Sequence, residues 1–292
     1  MPTILRALLH DAATRLVDVD AADDLDEGRL EAELLYGAAA GLDRAQVIAR
    51  GGEVVADDIA TAFAAVLARR LAREPLAYIL GRRECYGMTF EVAPGVLIPR
   101  PETELLFEAT LAAVRAHPQA RRLVRVADVG TGSGVVALAV ARHAPNAKVY
   151  ALDRSTAALA VAGRNRDRFE LRERVVLLAG DLFDALPERV EIVTANLPYI
   201  PTAELEALTP EVRDWEPTWA LNGGKDGLEV IRRLIYRVPE HLAAGARAVL
   251  LEVGDGQAAQ VSRLLAAAVG GPARVHADLA GRPRVVEVRV GY

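Results

Sequence analysis

Apolar residues in the first quarter of the chain recur every three or four positions. They fall at Ile4, Leu5, Leu8, Leu9 and Leu16, then at Leu30, Leu34 and Leu35 before Gly41, then at Ile59, Phe63, Val66 and Leu67. That spacing lines one face of successive helices and predicts a small helical bundle over 1–75. From 76 to 100 the pattern changes. LAYILGRRECYGMTFEV holds two short β-like runs around Gly87, followed by the proline-marked APGVLIPRP, which predicts a β-hairpin linker. From 101 to 292 strand-length and helix-length segments alternate. PETELLFEATLAAV starts a helix with Pro101 in its first turn and Glu102 and Glu104 at its positive dipole end. Candidate strands follow at 123–129, 148–152, 175–180, 191–195 and 247–253. Such alternation specifies an α/β domain with a parallel sheet covered on both faces. The tail ARVHADLAGRPRVVEVRV has two strand-like runs around Gly281 and no helix between them, so it should close as an antiparallel hairpin.

At 292 residues the chain has room for one large domain or two ordinary ones. The net charge of −5 argues against a broad electrostatic grip on nucleic acid. Cys85 is the only cysteine, which excludes an intrachain disulfide and a thiolate metal cluster and leaves it as a small hydrophobe. The histidines at 10, 117, 143, 241 and 276 lack metal-ligand spacing, and no metal is expected. MPTILRALLHDAATRL is interrupted by Arg6, His10 and Asp11, so it reads as an amphipathic helix and not a signal peptide. The apolar stretch VGTGSGVVALAVA is too short and glycine-rich to cross a bilayer. A cytoplasmic protein without membrane contact is expected.

The chemistry sits at the strand ends. LVRVADVGTGSGVVALAVA places Gly130, Gly132 and Gly134 after the first strand and at the mouth of a helix, where a ligand can approach the backbone and the helix N-terminus favours negative charge. ALD ends the second strand at Asp153, where an acid can take two ribose hydroxyls. AGD ends the third, so Asp181 reaches the same crevice and could bind an adenine amino group. Singly, Asp153 also reads as a helix cap and Asp181 as a turn residue. Dinucleotide-binding folds share this spacing, but GTGSG lacks their third glycine at its usual offset, which favours S-adenosyl-L-methionine over NAD. The fourth strand runs into TANLPYIP, with Asn196, Leu197, Pro198 and Tyr199 directly after its apolar residues. Read locally, that is only a polar strand end and a turn.

Taken together, DVGTGSG, ALD and NLPY resemble the class I methyltransferases that modify planar NH2 groups, whose motif is usually [N/D]PP[Y/F]. REPLAYILGRRE, VLIPRPETELL, EVRDWEPTWALNGGKDGLE and DLAGRPRVV further resemble the HemK/PrmC family, the glutamine methyltransferases acting on the GGQ motif of class I peptide chain release factors. The resemblance runs from RLEAELL near residue 30 to the C-terminus. It implies a Rossmann-like domain with a mixed seven-stranded sheet, and S-adenosyl-L-methionine held by Gly130, Thr131, Gly132, Ser133, Gly134, Asp153, Asp181, Leu182 and Asn196. In the family the motif Asn oxygen and the next backbone carbonyl accept the two amide hydrogens; by resemblance these are Asn196 and Leu197. Tyr199 would pack against the flat amide and Pro198 would stiffen the turn. The family usually has proline where this chain has Leu197.

Other readings stay open on the sequence. NLPY also resembles the motif of ribosomal RNA adenine dimethyltransferases, so a nucleic-acid adenine methyltransferase is one; a glutamine methyltransferase for a ribosomal protein is another; a cofactor-binding protein without activity is a third. The segment from Pro201 to Gly227, with Trp215 and Trp219, is too long for a simple connection and should form part of a substrate wall or lid. Arg100, Glu102 and Thr103 of PRPETE fall near the cofactor by resemblance. The bundle over 1–75 is then expected to recognise the protein substrate.

Overall fold

The computed structural model describes residues 3–116 and 123–290; His117 lies outside them. The chain divides into two compact units, Met1–Arg82 with Thr209–Trp215, and Arg83–Leu208 with Glu216–Tyr292. No helix among the described residues is long and apolar enough to cross a membrane.

The first unit carries helices α1 (Leu5–Asp18), α2 (Leu25–Ala40), α3 (Arg44–Ala49), α4 (Asp57–Leu71) and α5 (Leu76–Leu80). The Asp24 side chain caps α2 by accepting from the Asp26 and Glu27 amides, and Gly41 closes it in the left-handed conformation. Asp43 and Gln46 form a reciprocal capping box on α3. Leu5, Leu9, Leu16, Leu35, Phe63 and Leu67 of the periodic positions form the core, whereas Ile4 and Leu30 of the same pattern are exposed. LAYIL, expected as a strand, is the helix α5. Pro75 stands at its N-cap and Gly81 stops it with φ 67, and these local signals outweigh the β-like composition of five residues.

A buried ion cluster ties Thr209–Trp215 into this unit. The Arg70 guanidinium donates to Glu31 Oε2 at 2.7 Å and to Glu211 Oε1 at 2.8 Å. Glu211 also takes both arms of Arg73, at 2.5 and 2.7 Å. Burial alone would raise the Glu211 carboxyl, but the hydrogen bonds from Arg73 and Arg70 outweigh it and pull it down to about 2.

The second unit opens with the hairpin β1 (Arg82–Cys85) and β2 (Met88–Glu91). Its two-residue turn has Tyr86 at φ 49 and Gly87 at φ 66, the left-handed pair of a tight hairpin turn. Cys85, Met88 and Phe90 face inward against the core under α6 (Thr103–Arg115). Within 76–100, α5 belongs to the first unit and the hairpin from Arg83 onward to the second. α6 begins two residues after Pro101, with Glu104 in its first turn.

Beyond it come β3 (Val124–Val129), α7 (Val135–His143), β4 (Ala147–Asp153), α8 (Thr156–Arg168), β5 (Val175–Ala179) and β6 (Ile192–Ala195). A 3-10 turn (Thr202–Ala207) and the one-turn helices α9 (Pro210–Arg213) and α10 (Thr218–Leu221) precede α11 (Glu229–His241), β7 (Ala248–Glu252), α12 (Ala258–Val269), β8 (Ala273–Ala277) and β9 (Pro283–Arg289). The sheet order is β5-β4-β3-β6-β7-β9-β8. The first five are mutually parallel, while β9 runs antiparallel between β7 and β8, so the sheet is mixed with seven strands and the tail is the expected hairpin. Strand order reverses between β3 and β6, the switch point where open α/β sheets leave a crevice at their carboxyl ends.

The register sets a row of residues along that edge. Val129 pairs with both Leu152 and Ala195, and Ala195 pairs with Leu251. The next residue on each strand is therefore Asp153, Gly130, Asn196 and Glu252, side by side. α6 is fastened over β6 by the buried bond from Thr110 Oγ1 to Thr194 Oγ1, 3.0 Å, and Thr103, two helical turns earlier, lies on the same face.

The loop after β6 is held by the glycines of LNGGKDGLE. The Ile200 amide donates to Leu221 O at 3.0 Å and the Gly223 amide to Ile200 O at 2.8 Å. A Cβ on Gly227, whose φ is 75, would stand 2.2 Å from Tyr199 O, and one on Gly223 would stand 2.7 Å from Pro198 O. Only glycine allows that approach.

Two outcomes follow from this packing. Gly227→Ala is expected to lower unfolding free energy by at least about 1 to 3 kcal/mol, measured by urea denaturation; a loss below roughly 0.5 kcal/mol, the usual surface effect, would contradict the close approach. Glu211, depressed in the folded chain, contributes stability that is present above the ordinary carboxylate value of 4.5 and lost as pH falls toward about 2. Glu211→Gln should therefore cost on the order of 2 to 3 kcal/mol at pH 7, with the gap between variant and parent narrowing from pH 5 to pH 3. A gap independent of pH would show that the ion cluster does not stabilise the fold.

Candidate active site

A cavity of about 330 Å³ opens at the switch point and is lined by residues of the second unit. Gly130, Thr131, Gly132 and Ser133 form one wall, Asp153 another, Asp181 and Leu182 a third, and Asn196, Leu197 and Pro198 the fourth. Leu97, Pro99, Arg100, Thr103, Trp219 and Asn222 close the rim. Of the residues expected at the site, Gly134 and Tyr199 stand outside the wall. Gly134 is the left-handed residue that starts α7, where a Cβ would meet Leu138 at 2.9 Å; its work is conformational.

The glycine loop is shaped from below by Asp128, which is 2% exposed. Its carboxylate accepts the Thr131 hydroxyl at 2.6 Å and the Ala137 amide at 3.2 Å. Burial pushes it up to about 7, against those two bonds. Gly130 sits at φ 77, the left-handed region that favours glycine, and a Cβ there would press on Leu197 Cδ2 at 3.0 Å, so the two walls meet at this point.

Asp153 is 6% exposed. Its Oδ2 accepts the Gly132 amide at 2.9 Å and its Oδ1 the Ser155 amide at 2.8 Å. Burial is the larger influence and raises its carboxyl; the Ser155 and Gly132 amides oppose it. Each oxygen keeps a second lone pair for a ligand. The helix cap itself is Ser155, whose Oγ accepts the Ala158 amide. Asp181 is ion-paired with Arg233, and both line the cavity. One of its oxygens is thus already engaged, which the isolated AGD motif does not reveal. Leu182 has φ 55, a conformation costly for a branched side chain, held at the rim of the cavity.

On the acceptor wall, Asn196 Nδ2 donates to Thr103 Oγ1 at 3.1 Å. Asn196 Oδ1 and the Leu197 carbonyl accept no hydrogen bond from the described residues. Gln257 Nε2 holds the Tyr199 carbonyl at 2.8 Å, and the Tyr199 ring lies 3.0 Å from the Cβ position of Gly254. Burial, then the nearby Glu252, pushes the Tyr199 hydroxyl up to about 12, so it stays neutral. Arg100 and Thr103 of PRPETE reach the cavity and Glu102 does not. Arg100 is ion-paired with Glu216, which also accepts the Ile98 amide at 3.0 Å. Trp219 lines the rim, whereas Trp215 belongs to the first unit.

Sequence reading passed over two acids. Asp128 was in plain view within DVGTGSG, but its role depends on the fold of the loop. Glu252 ends the apolar run AVLLE, and a charged residue closing a strand beside a functional strand end was the available signal.

Comparison with known proteins adds the lineage. Residues 7–81 match the PrmC N-terminal domain and residues 105–209 the Methyltransferase small domain. The release factor glutamine methyltransferase of Geobacter sulfurreducens is 40% identical over 272 residues, 93% of this chain and 93% of its own. That of Moorella thermoacetica is 42% identical over 283 residues, 96% of each chain. Among solved structures, a methyltransferase from Pyrococcus furiosus superposes with a TM-score of 0.52 at 19% identity, covering 77% of this chain and 98% of that one. A T. Thermophilus 16S rRNA methyltransferase does so with a TM-score of 0.52 at 20% identity, covering 72% and 50%. These two likenesses speak for the fold. The near-complete coverage at 40 to 42% identity speaks for descent, and the chain belongs to the family of release factor glutamine methyltransferases.

Proposed function

We propose that this enzyme transfers a methyl group from S-adenosyl-L-methionine to the side-chain amide nitrogen of the glutamine in the GGQ motif of class I peptide chain release factors. The observation that carries the reading is the pair of unengaged acceptors, Asn196 Oδ1 and the Leu197 carbonyl, at the wall of a cavity whose other walls suit a nucleoside. A primary amide has two hydrogens to give, and two oxygens on consecutive residues can take both.

The residues present fit the cofactor. The glycine loop lets a ligand approach the backbone at Gly130 and Gly132, Asp153 offers a buried carboxylate with free lone pairs, and Asp181 and Leu182 edge the third wall. When bound, S-adenosyl-L-methionine supplies an electrophilic methyl on a positively charged sulfur and leaves as neutral S-adenosyl-L-homocysteine. The protein's own part is orientation. An amide nitrogen is a poor nucleophile because its lone pair is delocalised into the carbonyl. Hydrogen bonds from its two N–H groups to Asn196 and Leu197 fix the plane of the amide and the direction of its lone pair. The nitrogen gains the methyl as the carbon–sulfur bond breaks, and it gives up one of its hydrogens as a proton to solvent. Leu197 serves through its backbone, so the loss of the family's usual proline leaves the acceptor in place.

The cavity is lined by the second unit alone, which leaves the helical unit available for recognising the intact release factor. The test of the substrate is transfer of labelled methyl to purified release factor, compared with ribosomal protein and with RNA. Labelling of the GGQ glutamine is expected; labelling of RNA alone would overturn the reading.

For the site itself, Asn196→Ala should raise the barrier to turnover by roughly 2.7 to 4 kcal/mol, by analogy with loss of one preorganised hydrogen-bonding group, while affinity for the methyl donor changes far less. Leu197→Pro removes no backbone hydrogen bond, since the Leu197 amide donates to none of the described residues, and activity should be kept or modestly raised. Single-turnover transfer beside calorimetric donor binding checks both; an Asn196→Ala variant working at the parental rate would remove Asn196 from the acceptor site.

A further inference from the structure

Glu252 is 1% exposed, and neither of its carboxylate oxygens has a hydrogen-bond partner among the described residues. An unpartnered buried carboxylate is expensive, and this one sits at the active edge. It ends β7 directly beside β6, whose next residue is Asn196. The Thr103 hydroxyl and the Asn196 side chain stand next to it from α6 and from the loop after β6. Asn196 Nδ2 already donates to Thr103 Oγ1 at 3.1 Å. The three side chains therefore form a short chain of polar groups: amide, hydroxyl, carboxylate.

We propose that Glu252 is a positioning residue for methyl transfer: its ionised carboxylate draws the Thr103 hydroxyl hydrogen and the Asn196 NH2 group toward itself, which turns Asn196 Oδ1 to the substrate amide. This rests on the assignment of Asn196 as an acceptor. An Asn side chain has a donor end and an acceptor end related by a half-turn, and only one of the two orientations can accept an amide hydrogen from the cavity. An ionised carboxylate can only accept, so it selects the donor end of Asn196. A protonated carboxyl can donate, and that preference is lost.

The surroundings place this switch within reach of ordinary pH. Burial pushes the Glu252 carboxyl up to about 7; Thr103, Arg284 from β9 and Asn196 hold it down, and the charge of Glu102 ahead of α6 adds to the rise. Tyr199 is the remaining titratable group beside it and stays neutral in this range. The folded carboxyl is raised above its ordinary value of 4.5, so the ionised, productive form is gained as pH rises through about 7 and lost below it.

The experiment has two readouts on the full-length enzyme. The first is the side-chain amide resonance of Asn196, followed by NMR from about pH 5.5 to 8.5. It should titrate with an inflection near neutrality in the parent and lose it in Glu252→Gln, which keeps the size of the side chain but always carries a donor. The second is kcat for release factor methylation over the same range. It should rise with pH in the parent, and in Glu252→Gln it should be flat and lower at pH 8.5 by on the order of 10²-fold, with donor affinity unchanged. A flat parental profile in both readouts overturns the proposal without need of any variant, as does a Glu252→Gln enzyme with parental kcat. A titrating Asn196 resonance that Glu252→Gln abolishes, in an enzyme that methylates no release factor, upholds the link between the two side chains and faults the substrate assignment instead.

Discussion

The active edge depends on backbone running closer to backbone than any side chain permits. Gly223 and Gly227 lie against the carbonyls of Pro198 and Tyr199 at one end of the acceptor loop, and at the other Gly130 lies against the Leu197 side chain. Between them the chain from Asn196 to Tyr199 has little freedom left. That matters to the proposed reading, in which one of the two acceptors is the Leu197 main-chain carbonyl. A carbonyl can be aimed only by fixing its peptide plane, and the glycines fix it by leaving no room for alternatives. In the proposed reading the glycines of LNGGKDGLE act on the acceptor through the backbone, while Asn222 of the same stretch lines the cavity.

The second constraint is electrostatic. Asp128, Asp153 and Glu252 are all nearly buried at the carboxyl edge of a sheet, and burial raises each of them. Asp128 and Asp153 are offset by hydrogen bonds that shape the glycine loop. Neither oxygen of Glu252 has a hydrogen bond of that kind, and the nearby Thr103, Arg284 and Asn196 offset its burial only in part. A fold rarely keeps a buried acid so weakly compensated unless its chemistry uses it, and its neighbours here are Thr103 and Asn196 of the proposed acceptor site. The helical unit handles its buried charge differently. There Arg70 and Arg73 are matched to Glu31 and Glu211 with nearly every donor satisfied, which ties a distant stretch of sequence into the bundle and leaves nothing free to react.

Much of this was legible before the structure. The strands lie within a residue or two of the apolar runs that predict them, because a buried parallel strand is a continuous apolar stretch and its flanks are not. Asp153, Asn196 and the glycine loop could be placed at one edge because sheet topology brings carboxyl ends together. What local pattern could not show depends on partners far away in sequence. LAYIL is the exception, a helix set by its own neighbours Pro75 and Gly81. Thr209–Trp215, set within the second unit's sequence, joined the first unit through Glu211. The Asp181 carboxylate was found already paired with Arg233. Tyr199, expected against the substrate, turned toward Gly254 and the neighbourhood of Glu252. Glu252 itself was hidden because a single acid after four apolar residues has no meaning until the neighbouring strand is known.

The central claim is that the site recognises a primary amide with two oxygen acceptors. It is tested most directly by binding without turnover. Release factor carrying its GGQ glutamine, and the same protein with glutamate in that position, are each titrated calorimetrically into the full-length enzyme with S-adenosyl-L-homocysteine present. Glutamate is nearly isosteric, but it brings two acceptor oxygens and a negative charge against Asn196 Oδ1 and the Leu197 carbonyl, where like partners repel. The glutamate form should bind at least roughly tenfold more weakly at pH 8. Equal or tighter binding of the glutamate form would contradict the acceptor site.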